Sequence, residues 1–241
     1  MQNGFLKIAL AAVGLLFLLT SPHAQVSSDA LTKADSLFRL KKYTQSLDVY
    51  SALFDENKYS PAMLLRMAFI EEGLANYAST IYYLSLYYQH TFDRAATEKI
   101  QQLAATHRFT GYEQSDKDRL ATAWRRYGQI VTLVLAGIAL LLTALLMLSK
   151  RKPTKTPVWI CQSGVLVLLF IHLNYPFAKK AIIHNNTTYL MSGPSAGATL
   201  VAKIGGGHRV TMLGKTDVWV KIRWENKEVF VRESSLKPLE R

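Results

Sequence analysis

The chain has 241 residues, 49 % of them hydrophobic, and a formal net charge of +12 at pH 7. Such a charge would suit a nucleic-acid partner, but its distribution argues against one. Residues 25–128 carry 13 basic and 12 acidic side chains, whereas residues 149–156 carry four basic and none acidic. Lys7, Lys179 and Lys180 add to the excess, and residues 185–241 carry nine basic against five acidic groups. Most of the surplus therefore flanks apolar runs, where Lys and Arg orient membrane segments and meet anionic head groups. The only cysteine, Cys161, lies inside such a run, which excludes a disulfide, and also a zinc site or a thiol nucleophile built on cysteine in the soluble parts.

Residues 1–24 read as a secretory signal. Lys7 supplies the basic n-region, Ile8 to Leu19 the apolar stretch, and Ser21-Pro22-His23-Ala24 a site for cleavage after Ala24. Pro22 is a poor residue just before such a site, which leaves a retained N-terminal anchor as the alternative. Either way the segment that follows is exported.

Residues 25–112 predict an all-α repeat. Shifted by 34 residues, the chain matches itself: Ala34 falls on Ala68, Tyr43 on Tyr77, Ser46 on Thr80, Leu47 on Ile81 and Phe54 on Tyr88. Small falls on small and aromatic on aromatic. The period is that of a helix-turn-helix unit. Ala34 and Ala68 would let paired helices approach, and Tyr43 and Tyr77 would open each second helix. Ser60-Pro61 is a helix start, with Ser as N-cap and Pro at the first helical position. Glu71 departs from the pattern, and Ala75 stands where a turn glycine is usual. Ala96, Ile100 and Leu103 mark one further amphipathic helix, which Phe109-Thr110-Gly111-Tyr112 ends.

Residues 113–128 predict a charged linker helix starting at Ser115, with Leu120, Trp124 and Tyr127 on one face. Gln129 to Leu148 contains no charged residue and is long enough to cross a ~30 Å hydrocarbon core. The expected first span is 129–149 and the second 158–178, with Gln162 and His172 inside the weaker second one. Together they read as a hairpin around a basic loop at 150–157. An exported N-terminal region and the positive-inside rule place that loop in the cytoplasm and both soluble modules in the periplasm.

Beyond Lys180 the period falls to two. Ala198 to Ile204, His208 to Leu213, Val218 to Trp224 and Glu228 to Val231 predict short strands. Gly205-Gly206-Gly207, Gly214 to Asp217 and Glu225-Asn226-Lys227 are the expected turns. Val218, Val220, Ile222 and Trp224 would form the apolar face, and Trp219, Lys221 and Arg223 the other. About five strands in residues 185–241 would make a small all-β barrel.

Tyr189 to Ser195, Leu200-Val201, Gly207, Val210 to Leu213, Asp217 to Ile222, Val229 to Val231 and Ser235-Leu236 give this module its resemblance to a bacterial SH3 (SH3b) domain. The opening Arg of that pattern is absent, and Val229-Phe230 replaces its Gly-Trp. The 34-residue helical unit is similar to the tetratricopeptide (TPR) repeat. In sum, signal peptide, TPR repeats, linker helix, two transmembrane helices and SH3b domain resemble the aerotolerance protein E (BatE) type of Bacteroidetes aerotolerance operons. The resemblance implies a non-enzymatic membrane component working beside von Willebrand factor A membrane proteins and a MoxR-type ATPase.

Catalytic constellations are not legible. The histidines at 90, 107, 172, 184 and 208 lack metal-ligand spacing. Gly205-Gly206-Gly207-His208 lacks the Lys of a phosphate loop, and Glu71-Glu72 reads as a solvated helix face. Neither cofactor nor enzyme is expected. The expected function is an inner-membrane adaptor or scaffold. A peptide groove would be lined, by repeat position, by Asp35, Phe38, Arg39, Phe69 and Glu72. The competing expectation is a cell-envelope sensor that binds peptidoglycan through Trp219, Lys221 and Arg223. Against it, Trp219 could be core.

Overall fold

The computed structural model describes residues 28–113, 116–148, 155–174 and 178–239. The expected signal segment, the helix start at Ser115 and most of the basic loop lie outside the described residues. Among the described residues there are seven α-helices and one antiparallel sheet of seven strands. They divide into two compact units between Asn76 and Tyr77.

The first unit holds α1 (Ser28–Arg39), α2 (Tyr43–Asp55) and α3 (Pro61–Gly73). α1 packs on α2 where their side chains are smallest. Ala34 and Ser46 are buried, and the Ser46 hydroxyl donates to the Ala34 carbonyl at 2.9 Å. Ser60 caps α3 as its sequence predicts, accepting from the Met63 N–H at 3.3 Å, with Pro61 at the helix start. Glu71 departs from its expected solvated face. It is buried, its side chain accepts from Asn76 Nδ2 at 3.0 Å, and its carbonyl accepts the Asn76 N–H at 2.9 Å. The carboxylate thus ties down the turn after α3, which is why no apolar residue stands there.

The second unit begins with α4 (Tyr77–Thr91) and α5 (Arg94–Thr106), the latter capped by Asp93, which accepts from the Ala95 N–H at 3.0 Å. Ala96, Ile100 and Leu103 are the buried face of α5, as their spacing predicts. α6 runs unbroken from Asp116 to Leu148. Linker and first apolar run are therefore one helix of 33 residues, about 50 Å long at 1.5 Å per residue. α7 is described from Lys155 to Asn174, and Ala178, the expected end of the second span, is not helical. Leu120–Ala144 and Pro157–Asn174 are each long and apolar enough to cross a membrane.

α6 and α7 are joined by polar contacts. Gln162 Nε2 donates to Thr143 Oγ1 at 3.2 Å, and His172 Nε2 lies 3.1 Å from the Gly128 carbonyl and 3.0 Å from Thr132 Oγ1. The His172 ring also lies 4.3 Å from Trp124. The two polar residues that weaken the second apolar run are buried against the first helix, where apolar surroundings leave them few other partners.

The sheet has seven strands rather than five: β1 (Lys180–Ile183), β2 (Thr188–Met191), β3 (Leu200–Ile204), β4 (Arg209–Thr216), β5 (Trp219–Trp224), β6 (Lys227–Arg232) and β7 (Leu236–Pro238). Their order is β3-β2-β6-β5-β4-β1-β7. β1 lies between β4 and β7, and its Ala181, Ile182 and Ile183 are fully buried. The sheet therefore starts before the expected boundary at Asn185. Ala181, Ile183, Leu190, Val210, Val220, Ile222, Val229 and Val231 form its core. Gly214 is not in a turn. It sits inside β4 at a bulge, where the pairing with β5 slips between Met212 and Gly214. The turn is Asp217-Val218, which leaves Val218 exposed instead of on the apolar face.

Candidate functional site

The expected groove residues all lie in the first unit, and the structure brings three of the five into one cluster. Asp35 Oδ1 accepts from the Tyr50 hydroxyl at 2.6 Å and from Arg66 Nη1 at 2.5 Å. Burial, and then the Asp35 carboxylate, push the Tyr50 hydroxyl above its ordinary range, so it stays protonated and donating. Phe38 meets Phe69 edge-on at 5.8 Å, and both rings meet Tyr43, at 5.4 and 5.7 Å. Arg66 lies over the Phe38 ring at 5.8 Å, which links the ion pair to the aromatic trio. Phe69 remains 56 % exposed. Arg39 is exposed in the last turn of α1, and Glu72 is half-buried near the end of α3. The result is an apolar surface with an internally neutralised carboxylate at its side. Sequence reasoning missed Tyr43, Tyr50 and Arg66. Tyr50 carried a signal: it falls on Leu84 in the repeat, and a buried tyrosine needs a partner for its hydroxyl.

The expected ligand face of the sheet is built differently. Trp219 is only 8 % exposed. Its cross-strand partner Arg232 lies over the indole at 5.6 Å. Lys221 pairs with Glu228 at 2.5 Å, and that hydrogen bond holds the Glu228 carboxyl below its usual range. Arg223 is exposed and stands opposite Glu228 on β6. The three residues share the outer face, as their alternation predicts, but the indole is covered by a guanidinium and is not open for stacking.

A second constellation was not legible in the sequence. After α5 the chain crosses residues 107–112 as a strap against the start of β4. Rings follow one another along it: Tyr77 on His107 at 3.7 Å, His107 on Phe109 at 5.6 Å, Phe109 on His208 at 5.7 Å, and His208 on Trp224 at 5.1 Å. The backbone supports the ladder. The Arg209 N–H donates to the Thr110 carbonyl at 3.0 Å, Arg209 Nε to the Gly111 carbonyl at 2.6 Å, and the Tyr112 hydroxyl to the Gly207 carbonyl at 2.7 Å. Burial raises the Tyr112 pKa, so that hydroxyl keeps donating. Gly111 has φ +87°, and a Cβ there would fall on the Arg209 carbonyl. Gly207, at φ +101°, leaves its space to the Phe109 ring. His208 Nδ1 accepts the Thr110 N–H at 3.1 Å, so the neutral ring carries its proton on Nε2. Burial lowers its pKa.

The described residues contain no group of three or more His, Cys, Asp or Glu able to hold a metal ion. No protein-family model, curated protein or solved structure matches the chain. The class the coordinates define is a mixed helix-and-sheet protein with two helices suited to a bilayer.

Proposed function

We propose that this chain is a non-enzymatic membrane adaptor. In this reading α1 to α5 form a tetratricopeptide-type array and the sheet forms an SH3b-type barrel. α6 and α7 span the inner membrane, with both soluble modules in the periplasm and the basic loop in the cytoplasm. The observation that carries the reading is the exposed Phe69 set in the Phe38–Tyr43 cluster beside the Asp35–Arg66 pair. An exposed aromatic held rigidly by its neighbours is what a protein-docking surface requires, because little side-chain entropy is lost on binding. The helix starts support the repeat: α2 and α4 open at Tyr43 and Tyr77, 34 residues apart. A von Willebrand factor A membrane protein with its MoxR-type ATPase is the partner system implied by the resemblance to BatE-type proteins. The competing peptidoglycan sensor would need Trp219 uncovered from Arg232.

Crosslinking in native membranes with mass-spectrometric identification tests this. Residues 28–76 should crosslink to another envelope protein, and Phe69→Ala should lose those products while keeping crosslinks within the chain. Intramolecular products alone, with the barrel retained on purified cell wall, would replace the adaptor with the sensor.

A further inference from the structure

Apolar and cationic side chains adjoin around Phe69 in the first unit. The turn from α1 to α2 is Leu40-Lys41-Lys42. It lies between Phe38 and Tyr43, the two rings that hold Phe69. Leu40 is 67 % exposed. Leu65, one helical turn before Phe69 on α3, is 44 % exposed. Leu40, Leu65 and Phe69 thus leave apolar surface in water beside one rigid ring cluster, which marks an interaction site more than a solvated face.

The charges beside them are unbalanced. Arg39, Lys41 and Lys42 flank Leu40, and all are exposed. Among the described residues none of these cations makes an ion pair. The nearby acids are already engaged or withdrawn. Asp35 holds Arg66 and the Tyr50 hydroxyl, Glu71 is buried against Asn76, and Glu72 is half-buried near the end of α3. An occupant of this surface therefore meets apolar side chains and unpaired positive charge together.

The Asp35–Arg66 pair favours a peptide over a lipid surface. Both hydrogen bonds to the Asp35 carboxylate fall on Oδ1, which leaves Oδ2 to accept a main-chain N–H. The pair is partly exposed beside the rings, with side-chain exposures of 31 % for Arg66 and 24 % for Asp35. Acyl chains have no donor to offer it.

We propose that the Phe69 surface binds an acidic segment of a partner protein that also carries apolar side chains. The apolar side chains lie on Phe69, Leu65 and Leu40, and the carboxylates meet Arg39, Lys41 and Lys42. Charge complementarity of this kind speeds encounter and rejects basic segments. The inference rests on the adaptor reading and names the chemistry of the partner that the adaptor recruits.

The test uses the full chain in native membranes, with the photoprobe p-benzoylphenylalanine replacing Leu65, and mass spectrometry of the segment it captures. The adducts should fall on a partner segment in which Asp and Glu outnumber Lys and Arg. Arg39→Glu combined with Lys42→Glu should lower the adduct yield several-fold. The charge-conserving pair Arg39→Lys and Lys42→Arg should keep the yield, which separates lost charge from a disturbed turn. Capture of a segment without acidic excess, or a yield that charge reversal leaves unchanged, would overturn the acidic partner and leave the adaptor standing. Adducts on lipid alone, or only within the chain, would overturn the docking surface and the adaptor reading with it.

Discussion

His208 is where one side chain decides whether two segments stay joined. Its Nδ1 accepts the Thr110 N–H, and its ring stands between Phe109 and Trp224. Protonation puts a second N–H where that acceptor was and breaks the contact. Because burial lowers its pKa, the folded state favours the neutral ring. The unfolded chain then binds more protons below the ordinary His pKa of about 6.5, so stability is full above that value and falls as pH drops below it. His184, also lowered by burial and by Lys237, adds in the same direction. The thermal midpoint of the full chain in detergent should therefore fall between about pH 6.5 and 5, with His208 accounting for about 1 kcal/mol, a typical hydrogen bond. His208→Gln keeps an acceptor and does not titrate, so it should flatten the dependence without abolishing it. An unchanged slope in that variant would remove His208 from the explanation.

At the scale of the element, the helix ends are the informative feature. Lys41, Asn57, Ala75, Phe92 and Arg108 each follow a helix with positive φ. After α1, α2, α3 and α5 the next two N–H groups bond back to the last turn, as Ala75 N to Glu72 O at 3.0 Å and Asn76 N to Glu71 O at 2.9 Å show. This is the ending in which glycine is favoured, because a Cβ is strained at left-handed φ. Ala75 has neither glycine's freedom nor an Asn side chain to bond locally. Ala75→Gly should therefore raise stability by about 0.5–1 kcal/mol, read as an upward shift of the thermal midpoint. A lower midpoint would show that flexibility gained by the unfolded chain outweighs the strain relieved. The starts of α2 and α3 and the close packing at Ala34 were legible, since Tyr43, Ser60, Pro61 and Ala34 each carry a local reason for their position. The role of Glu71 was not, because its partner Asn76 becomes a neighbour only once the turn is folded.

At the scale of the molecule, the sheet depends on chain that precedes its recognisable strands. A fragment of residues 178–241 contains β1, whereas 185–241 lacks it. Ala181, Ile182 and Ile183 are fully buried between β4 and β7, and losing three such side chains removes several kcal/mol of apolar burial from a domain of this size. The longer fragment should give dispersed amide resonances and β-type circular dichroism, and the shorter should not. A folded 185–241 fragment would mean that β1 is an accessory strand.

The sheet also shows where legibility stops. Alternation through Val220, Ile222, Val229 and Val231 marked the strands and their core face. β1 was hidden because Lys179-Lys180 reads as the end of an apolar helix, and four residues are too short for a period to show. The candidate surfaces divide the same way. Phe38 on α1 and Phe69 on α3 meet edge-on, both against Tyr43. Trp219 is covered because Arg232 stands opposite it on β6, a pairing that no spacing within β5 announces.

What the sequence by itself determined is what neighbours along the chain decide: helix starts and caps, the two apolar lengths, strand alternation and the uneven spread of charge. These depend on propensity, solvation and period, each acting over a few residues. Only the tertiary structure decided what distant residues make together. It joined linker and apolar run into one α6, turned Gln162 and His172 towards it, buried β1, covered Trp219 and laid residues 107–112 across β4. Those outcomes depend on partners separated by tens of residues, whose pairing is set by mutual burial and hydrogen-bond satisfaction rather than by any local preference.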